Sequence, residues 1–300
     1  MKKILAVLLV TVILFSILGC NKAVISTSEK IQIVTTVFPM YDFARNVAGD
    51  KAEVTLILPS GADAHTYEPT AMDIVKIQGC DLFIRLGKDA EPWTESIVKE
   101  NEGGIISAMD CVELEKNDHN HEHNNFEYDQ HIWTSLRKSK EIVLKIAEAL
   151  NRVDNENGEY YTEKASEYVK KLENLDSKFL AVTENCRKPF IFADRFPFKY
   201  FAQDYNLEYF AAFPGCSDES EPSAATVAKL MDTVKNNDIE FVFYTETSNG
   251  KLPDAVCEET GAKKMLFHSC HTLTNAEIEA EKDYLSLMEE NYNAINEYLN

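Results

Sequence analysis

The chain has 300 residues, of which 45% are hydrophobic and 27% are charged, with 11 Gly and 9 Pro. This composition is typical of a folded globular protein of one or two domains, and it excludes collagen-like, wholly disordered and disulfide-knot classes. Thirty basic residues against fifty acidic ones give a formal net charge of −20. Because proteins bind nucleic acid through basic surfaces that neutralise phosphates, this balance argues against nucleic acid as a partner.

The first 19 residues have the pattern of an export signal peptide. Two lysines follow Met1, the stretch from Ile4 to Ile17 is largely apolar, and small Gly19 precedes Cys20. An apolar stretch of about 15 residues is short for a permanent membrane span, although a single anchor helix remains the alternative. The segment Ile17–Cys20 resembles a bacterial lipobox, which implies cleavage before Cys20 and lipidation of its thiol. We therefore expect an extracytoplasmic protein, lipid-anchored to the cell membrane, with residues 20–30 as a tether.

From Ile31 onward the sequence alternates between strand and helix patterns in two similar halves. In the first half, β-branched and apolar runs predict strands at 31–38, 53–58 and 82–86. Helices are predicted from Pro39 and over 71–78. In the second half, the same patterns predict strands at 190–193, 207–212, 241–244 and 264–267, and helices at 224–234 and 283–299.

Between these halves, from Lys138 to about Phe179, apolar residues recur at helical spacing and no strand pattern interrupts them. We therefore predict an α/β fold with two lobes, each a mainly parallel sheet flanked by helices. The predicted boundaries are 31–137 for the N-terminal lobe, 138–183 for a helical connector and 184–300 for the C-terminal lobe. In open α/β sheets ligands bind beyond the carboxyl ends of the strands, so the loops at those ends are the expected site.

All seven histidines fall in three predicted loops. They are His65 after the second strand, His119, His121, His123 and His131 before the connector, and His268 and His271 after the last strand. Imidazole nitrogen suits zinc, copper, nickel and iron, whereas magnesium and calcium sites use oxygen, so the set points to a transition metal. The polar loop 117–125, with His119, His121 and His123, is predicted to collect metal ions or to be simply solvated.

Four segments make the sequence similar to a known family, the zinc- and manganese-binding lipoproteins that deliver ions to ABC importers (cluster A-I substrate-binding proteins). They are Thr35–Ala44, Gly61–Thr70, Asp129–Trp133 and the Thr260–Lys263 turn with the strand after it. The resemblance covers about residues 31–300. It implies two α/β lobes joined by a long rigid connector helix, with metal in the cleft between them. It also implies His65 and His131 as ligands, His268 where the family usually has aspartate, and an ABC permease with its ATPase as partners.

The third ligand position of the family departs from the pattern. Depending on the alignment, that position holds Arg195 or Ala193, and neither side chain binds a cation. Two cysteines in the same lobe, Cys216 and Cys270, are candidates to rebuild the shell, because thiolate with imidazole is a zinc preference. A disulfide between these two cysteines is the alternative. Further candidates, as ligands or as groups that orient them, are His271, Glu246 and Asp194.

These observations favour an extracytoplasmic receptor that captures a divalent transition metal ion and hands it to a permease, without catalysis. Zinc is favoured over manganese as the transported ion, because the candidate ligands are nitrogen and sulfur. Two alternatives stay open at this point. One is a zinc-dependent hydrolase, which would keep an open water position on the metal. The other is a metal-independent surface adhesin or binding module, in which Arg195 marks a lost site.

Overall fold

Two parallel four-stranded sheets with the same strand order form the framework of the protein. The structure, a computed structural model, describes residues 30–62, 67–98, 104–117, 126–213 and 222–300. The first sheet has the order β2-β1-β3-β4 and contains β1 (Ile31–Thr35), β2 (Ala52–Leu56), β3 (Leu82–Arg85) and β4 (Gly104–Ser107). The second sheet has the order β6-β5-β7-β8 and contains β5 (Phe190–Phe192), β6 (Tyr209–Ala211), β7 (Phe241–Tyr244) and β8 (Lys263–Leu266). The predicted α/β fold with two lobes is confirmed.

The registers show how closely the lobes correspond. In the first sheet Val34 of β1 pairs with Thr55 of β2 on one side and with Phe83 of β3 on the other. In the second sheet Phe192 of β5 pairs with Ala211 of β6 and with Phe243 of β7. Each sheet therefore places its first strand inside, between the second and the third, and all its carboxyl ends on one edge.

Ten α-helices flank and connect the sheets in the described parts of the chain. They are α1 (Phe38–Ala48), α2 (Ala71–Gly79), α3 (Thr94–Val98), α4 (Leu136–Val153), α5 (Gly158–Thr183), α6 (Lys199–Asp204), α7 (Ala224–Asn236), α8 (Lys251–Thr260), α9 (Asn275–Glu279) and α10 (Tyr284–Leu299). Several begin at side-chain caps that the sequence encodes locally, such as the capping boxes of Thr70 with Asp73 and of Asp283 with Ser286. No helix within the described ranges is long and apolar enough to cross a membrane.

The predicted helical connector contains the long helix α5, preceded by a second helix, α4. Helices α4 and α5 pack side by side, joined by a short turn at Asn155–Asn157, so the chain reverses direction between them. The 26 residues of α5 span about 39 Å. Its buried face, with Tyr168 and Phe179, packs against α1 of the first lobe and α10 of the second. Helix α5 therefore contacts both lobes.

The buried cores of the two lobes differ in composition. Strands of the first sheet bury mainly aliphatic side chains such as Ile33, Leu82 and Ile84. The second lobe buries a cluster of aromatic rings, in which Phe243 stacks on Phe190 and on Phe192 with ring centroids 5.3 Å apart in both pairs. Both sets belong to one contiguous hydrophobic core. The loops at the carboxyl ends of both sheets are therefore supported by one shared hydrophobic core.

Candidate metal centre

Two histidines from different lobes meet where the carboxyl-end loops converge. His131 lies just before α4, which packs on the first sheet, and His271 follows β8 of the second sheet. Their ring centroids are 5.7 Å apart, with the ring planes at 80°. The indole of Trp133 contacts both rings, at 5.4 Å from His131 and 5.2 Å from His271. All three residues are buried.

A carboxylate two residues earlier in the chain orients His131. Asp129 Oδ1 accepts a hydrogen bond from the His131 backbone N–H at 2.8 Å and lies 2.9 Å from His131 Nδ1. Burial would raise the pKa of Asp129, but the His131 imidazole and its hydrogen bonds outweigh burial and hold that pKa below its usual value. A charged carboxylate on Nδ1 selects the tautomer that offers Nε2 to a metal ion, as in many metal-binding histidines.

His271 is held by a network that extends to the end of another strand. Glu246, just beyond β7, accepts hydrogen bonds from the Ser269 backbone N–H at 2.8 Å and from its hydroxyl at 2.6 Å. Ser269 Oγ in turn accepts the backbone N–H of His271 at 3.3 Å. Between them Cys270 has a φ of 57°, in the left-handed region that non-glycine residues rarely adopt. The segment Ser269–His271 is therefore a tightly specified turn.

His268, the histidine that the sequence favoured, lies in the same loop but makes different contacts. Its Nε2 is 3.0 Å from Glu277 Oε1, and its Nδ1 accepts the Cys270 backbone N–H at 2.9 Å. Burial disfavours the charged imidazole, yet the carboxylates of Glu246 and Glu277 raise the pKa of His268 above its usual value. Conversely, despite burial, the hydrogen bond from His268 lowers the pKa of Glu277 to about 2. Both ring nitrogens of His268 thus bond within the second lobe.

The loop that leads to His65 is attached to the His271 loop, although His65 itself lies outside the described residues. The Gly61 backbone N–H is 3.0 Å from Thr272 Oγ1 and 3.2 Å from the Leu273 carbonyl oxygen. The Ser60 hydroxyl donates to the same carbonyl at 2.6 Å. Four residues before His65, the first lobe is therefore hydrogen-bonded to the segment that directly follows His271.

The remaining predicted residues divide into described and undescribed ones. Cys270 is a free, fully buried thiol whose pKa burial raises well above its usual value, which disfavours the thiolate that binds zinc. The Asp194 carboxylate accepts hydrogen bonds from the backbone N–H and hydroxyl of Thr245, at 2.9 and 2.8 Å. Arg195 beside it is partly exposed. Predicted residues outside the described ranges are Cys20, His119, His121, His123 and Cys216.

In the part of the chain that the structure covers, no group of three or more His, Cys, Asp or Glu side chains is arranged to hold a metal ion. Within the described residues, the histidines brought together from the two lobes are His131 and His271, beside Trp133. The sequence indicated both histidines, whereas the contacts of Asp129, Ser269 and Trp133 that hold them emerge from the structure. The Asp-x-His spacing of Asp129 and His131 was a readable signal, whereas the contacts of Ser269 depend on tertiary structure.

Comparison with known proteins identifies relatives that cover most of this chain. The family model described as zinc-uptake complex component A, periplasmic, matches residues 33–298. The zinc-binding lipoprotein AdcA of Streptococcus pneumoniae is 31% identical over 98% of this chain and 60% of its own length. This chain thus spans about three fifths of that relative. The high-affinity zinc uptake system protein ZnuA of Bacillus subtilis is 30% identical over 91% of this chain and 89% of its own length.

Solved structures agree with these sequence matches. The crystal structure of Zn(II)-bound AdcA from Streptococcus pneumoniae superposes with a TM-score of 0.77 at 30% identity, covering 90% of this chain and 58% of that one. The metal-dependent lipoprotein YcdH from Bacillus subtilis superposes with a TM-score of 0.78 at 29% identity, covering 90% of this chain and 99% of that one. The chain therefore belongs to the family of the zinc-uptake complex component A, whose members share its two-lobed α/β fold.

Proposed function

We propose that this protein captures Zn²⁺ between its two lobes and delivers it to an ABC permease, as its family membership implies. The observation that supports this most directly is the pair of buried imidazoles, His131 and His271, which face each other from different lobes beside Trp133. Neutral imidazole is a preferred zinc ligand, and a carboxylate already orients one of the two rings.

In this proposal His65 supplies the third nitrogen ligand, and His271 takes the place that sequence analysis gave to His268. The loop before His65 is hydrogen-bonded to Thr272 and Leu273, which favours this assignment. Zinc prefers four ligands in tetrahedral geometry, and Cys216 is the candidate for the fourth. His268, which bonds Glu277 and the Cys270 backbone, acts as a structural residue of the second lobe.

The wider biological setting is part of the same proposal. Lipidation of Cys20 would hold the protein at the outer face of the cell membrane, where zinc must be captured before import. The permease and its ATPase are the partners, and His119, His121 and His123 collect ions for the cleft. The AdcA and ZnuA relatives, named for zinc binding and zinc uptake, support this setting. Zinc is cargo here, so no turnover is proposed.

Zinc stoichiometry and affinity, measured by competition with a chromophoric chelator, test the proposal. Wild-type protein is expected to bind one Zn²⁺ tightly, and His131→Ala to bind it at least on the order of 100-fold more weakly, because it loses a ligand. His123→Ala is the matched histidine control and should keep the tight site. Wild-type protein without tight zinc would overturn the proposal and favour the metal-independent adhesin. Hydrolysis of generic ester or phosphoester substrates by the zinc-loaded protein would favour the hydrolase instead.

A further inference from the structure

We infer that Ser269, held between Trp133 of the first lobe and Glu246 of the second, is a positioning residue that fixes the distance between His131 and His271. This inference rests on the proposed function of the cleft. It assigns the zinc affinity and metal preference of the cleft to the hydrogen bonds of Ser269 with Trp133 and Glu246. None of the three residues is offered as a ligand. They act through the two histidines that are.

The first part of the device is a hydrogen bond across the lobes. The indole Nε1–H of Trp133 donates to the carbonyl oxygen of Ser269 at 2.8 Å, and both residues are almost completely buried. Trp133 lies two residues after His131, and Ser269 lies two residues before His271. A bond in dry surroundings at this point is strong and well defined. It therefore links the backbone near His131 to the backbone near His271, at two residues from each histidine.

The second part is the carboxylate behind the loop. Both carboxylate oxygens of Glu246 accept hydrogen bonds from Ser269, one from the backbone N–H and one from the hydroxyl. The Glu246 side chain is only 2% exposed. The Ser269 hydroxyl oxygen, oriented by donating to Glu246, accepts the His271 backbone N–H. Through Ser269, the Glu246 carboxylate thus determines where the His271 backbone lies, although Glu246 and His271 are distant in the chain.

The third part is the backbone conformation between Ser269 and His271. Cys270 has a φ of 57°, which an L side chain adopts only where the surroundings determine it. Its backbone N–H donates to His268 Nδ1. The unusual turn is thus fixed from both sides, by Glu246 through Ser269 and by His268. It turns His271 toward His131 while His268 stays within its own lobe.

Fixed spacing matters because a metal ion binds with a narrow range of bond lengths. Zinc binds imidazole nitrogen at about 2.0–2.1 Å in a tetrahedral arrangement. Two ligands held at the right separation in advance bind without the entropic cost of ordering them. A rigid gap also disfavours ions that require other lengths or coordination numbers. The expected consequence of loosening Ser269 is weaker zinc binding together with poorer discrimination among metals.

Four variants of the full-length protein test this inference: Trp133→Phe, Ser269→Ala, Glu246→Gln and Glu246→Ala. Trp133→Phe keeps an aromatic ring and removes the N–H, and Ser269→Ala removes the hydroxyl alone. Each is expected to weaken zinc binding roughly three- to tenfold, the range that loss of one hydrogen bond gives. Glu246→Gln should lose less affinity than Glu246→Ala, because the amide keeps one acceptor oxygen. Glu240→Gln, at an exposed residue before β7, is the matched control.

A second readout separates positioning from general stability. The absorption spectrum of bound Co²⁺ reports the geometry of its ligands, and it should change in Ser269→Ala and Glu246→Gln at temperatures where both metal-free variants are still fully folded. Variants that unfold earlier but keep the wild-type spectrum and zinc affinity would overturn the inference and leave these residues a structural role. Wild-type protein that binds no zinc would instead overturn the proposed function.

Discussion

The two lobes share a strand order but hold their cleft histidines in different ways. In the first lobe Asp129 orients His131 from two residues away, so the arrangement is local. In the second lobe Glu246 orients His271 through Ser269, and the carboxylate and the serine are 23 residues apart in the chain. The first arrangement can be read from a short motif. The second exists only because β7 and β8 lie side by side in the sheet.

The lobes also differ in how their cores are filled, and this difference gives the prediction with the largest effect. Phe243 is fully buried and contacts Phe190, Phe192 and Tyr298. We expect Phe243→Ala to lower the free energy of unfolding by about 3–5 kcal/mol, because it leaves a cavity among closely packed rings. Urea denaturation of the metal-free protein measures this loss. Leu144→Ala, at an exposed helix position, is the control and should change stability little.

His268 and His271, three residues apart in the last loop, are expected to have different roles, and variants of each test this difference. His271→Ala is expected to weaken zinc binding at least on the order of 100-fold because it removes a proposed ligand. His268→Asn should lower stability, since it breaks the bonds to Glu277 and Cys270, while zinc affinity falls much less. Chelator competition and thermal unfolding of both variants distinguish the two roles. The opposite result, with His268 essential for zinc and His271 dispensable, would restore the ligand set that the sequence favoured.

The local arrangement in the first lobe can be tested by removing a charge. We expect Asp129→Asn to weaken zinc binding roughly tenfold, because a neutral amide no longer selects the His131 tautomer that offers Nε2. Asp89→Asn removes a charge from an exposed residue and is the control. Zinc affinity equal to wild type in Asp129→Asn would mean that His131 does not depend on its carboxylate.

The smallest expected effect concerns the contact that keeps His268 in its own lobe. The pKa of Glu277 is lowered to about 2, so this carboxylate stabilises the fold above its usual value of 4.5 and loses that effect as the pH falls toward 2. Despite burial, the pKa of His268 is raised, because protonation strengthens its contacts with the carboxylates of Glu246 and Glu277 by more than it loses in the Nδ1 acceptor. The charged ring therefore stabilises the fold below 6.5, and this effect is lost as the pH rises through the raised value. Between about pH 4.5 and 6.5, both contribute.

We therefore expect Glu277→Gln to cost on the order of 1 kcal/mol at pH 5.5, after allowance for partial solvent exposure of the pair. The loss should shrink at pH 2 and again at alkaline pH. Urea denaturation of the metal-free protein at these three values measures it, with Glu279→Gln on the same helix as control. A loss that is the same at every pH would show that the charge of Glu277 does not matter.

Much of the architecture was predictable because its signals are local. Runs of β-branched and apolar residues predicted seven of the strands close to their observed positions. Of the histidine-bearing segments, those of His131 and His271 lie where the lobes meet. Strand β4 was missed because its four residues, from Gly104 to Ser107, contain only two strongly apolar side chains. The connector was predicted as one unit because no strand pattern interrupts residues 138–179, whereas packing determines that the chain turns back at Asn155–Asn157.

The sequence by itself determined the α/β class, the family and the histidines from which a zinc site could be built, because strand periodicity and short motifs act over a few residues. Only the tertiary structure decided which histidine of the last loop faces His131. That choice depends on the left-handed backbone of Cys270, on Glu277 bonding His268, and on Trp133 and Glu246 holding Ser269. These contacts join residues that are distant in the chain, and they form only when the two sheets and the long helix α5 are assembled.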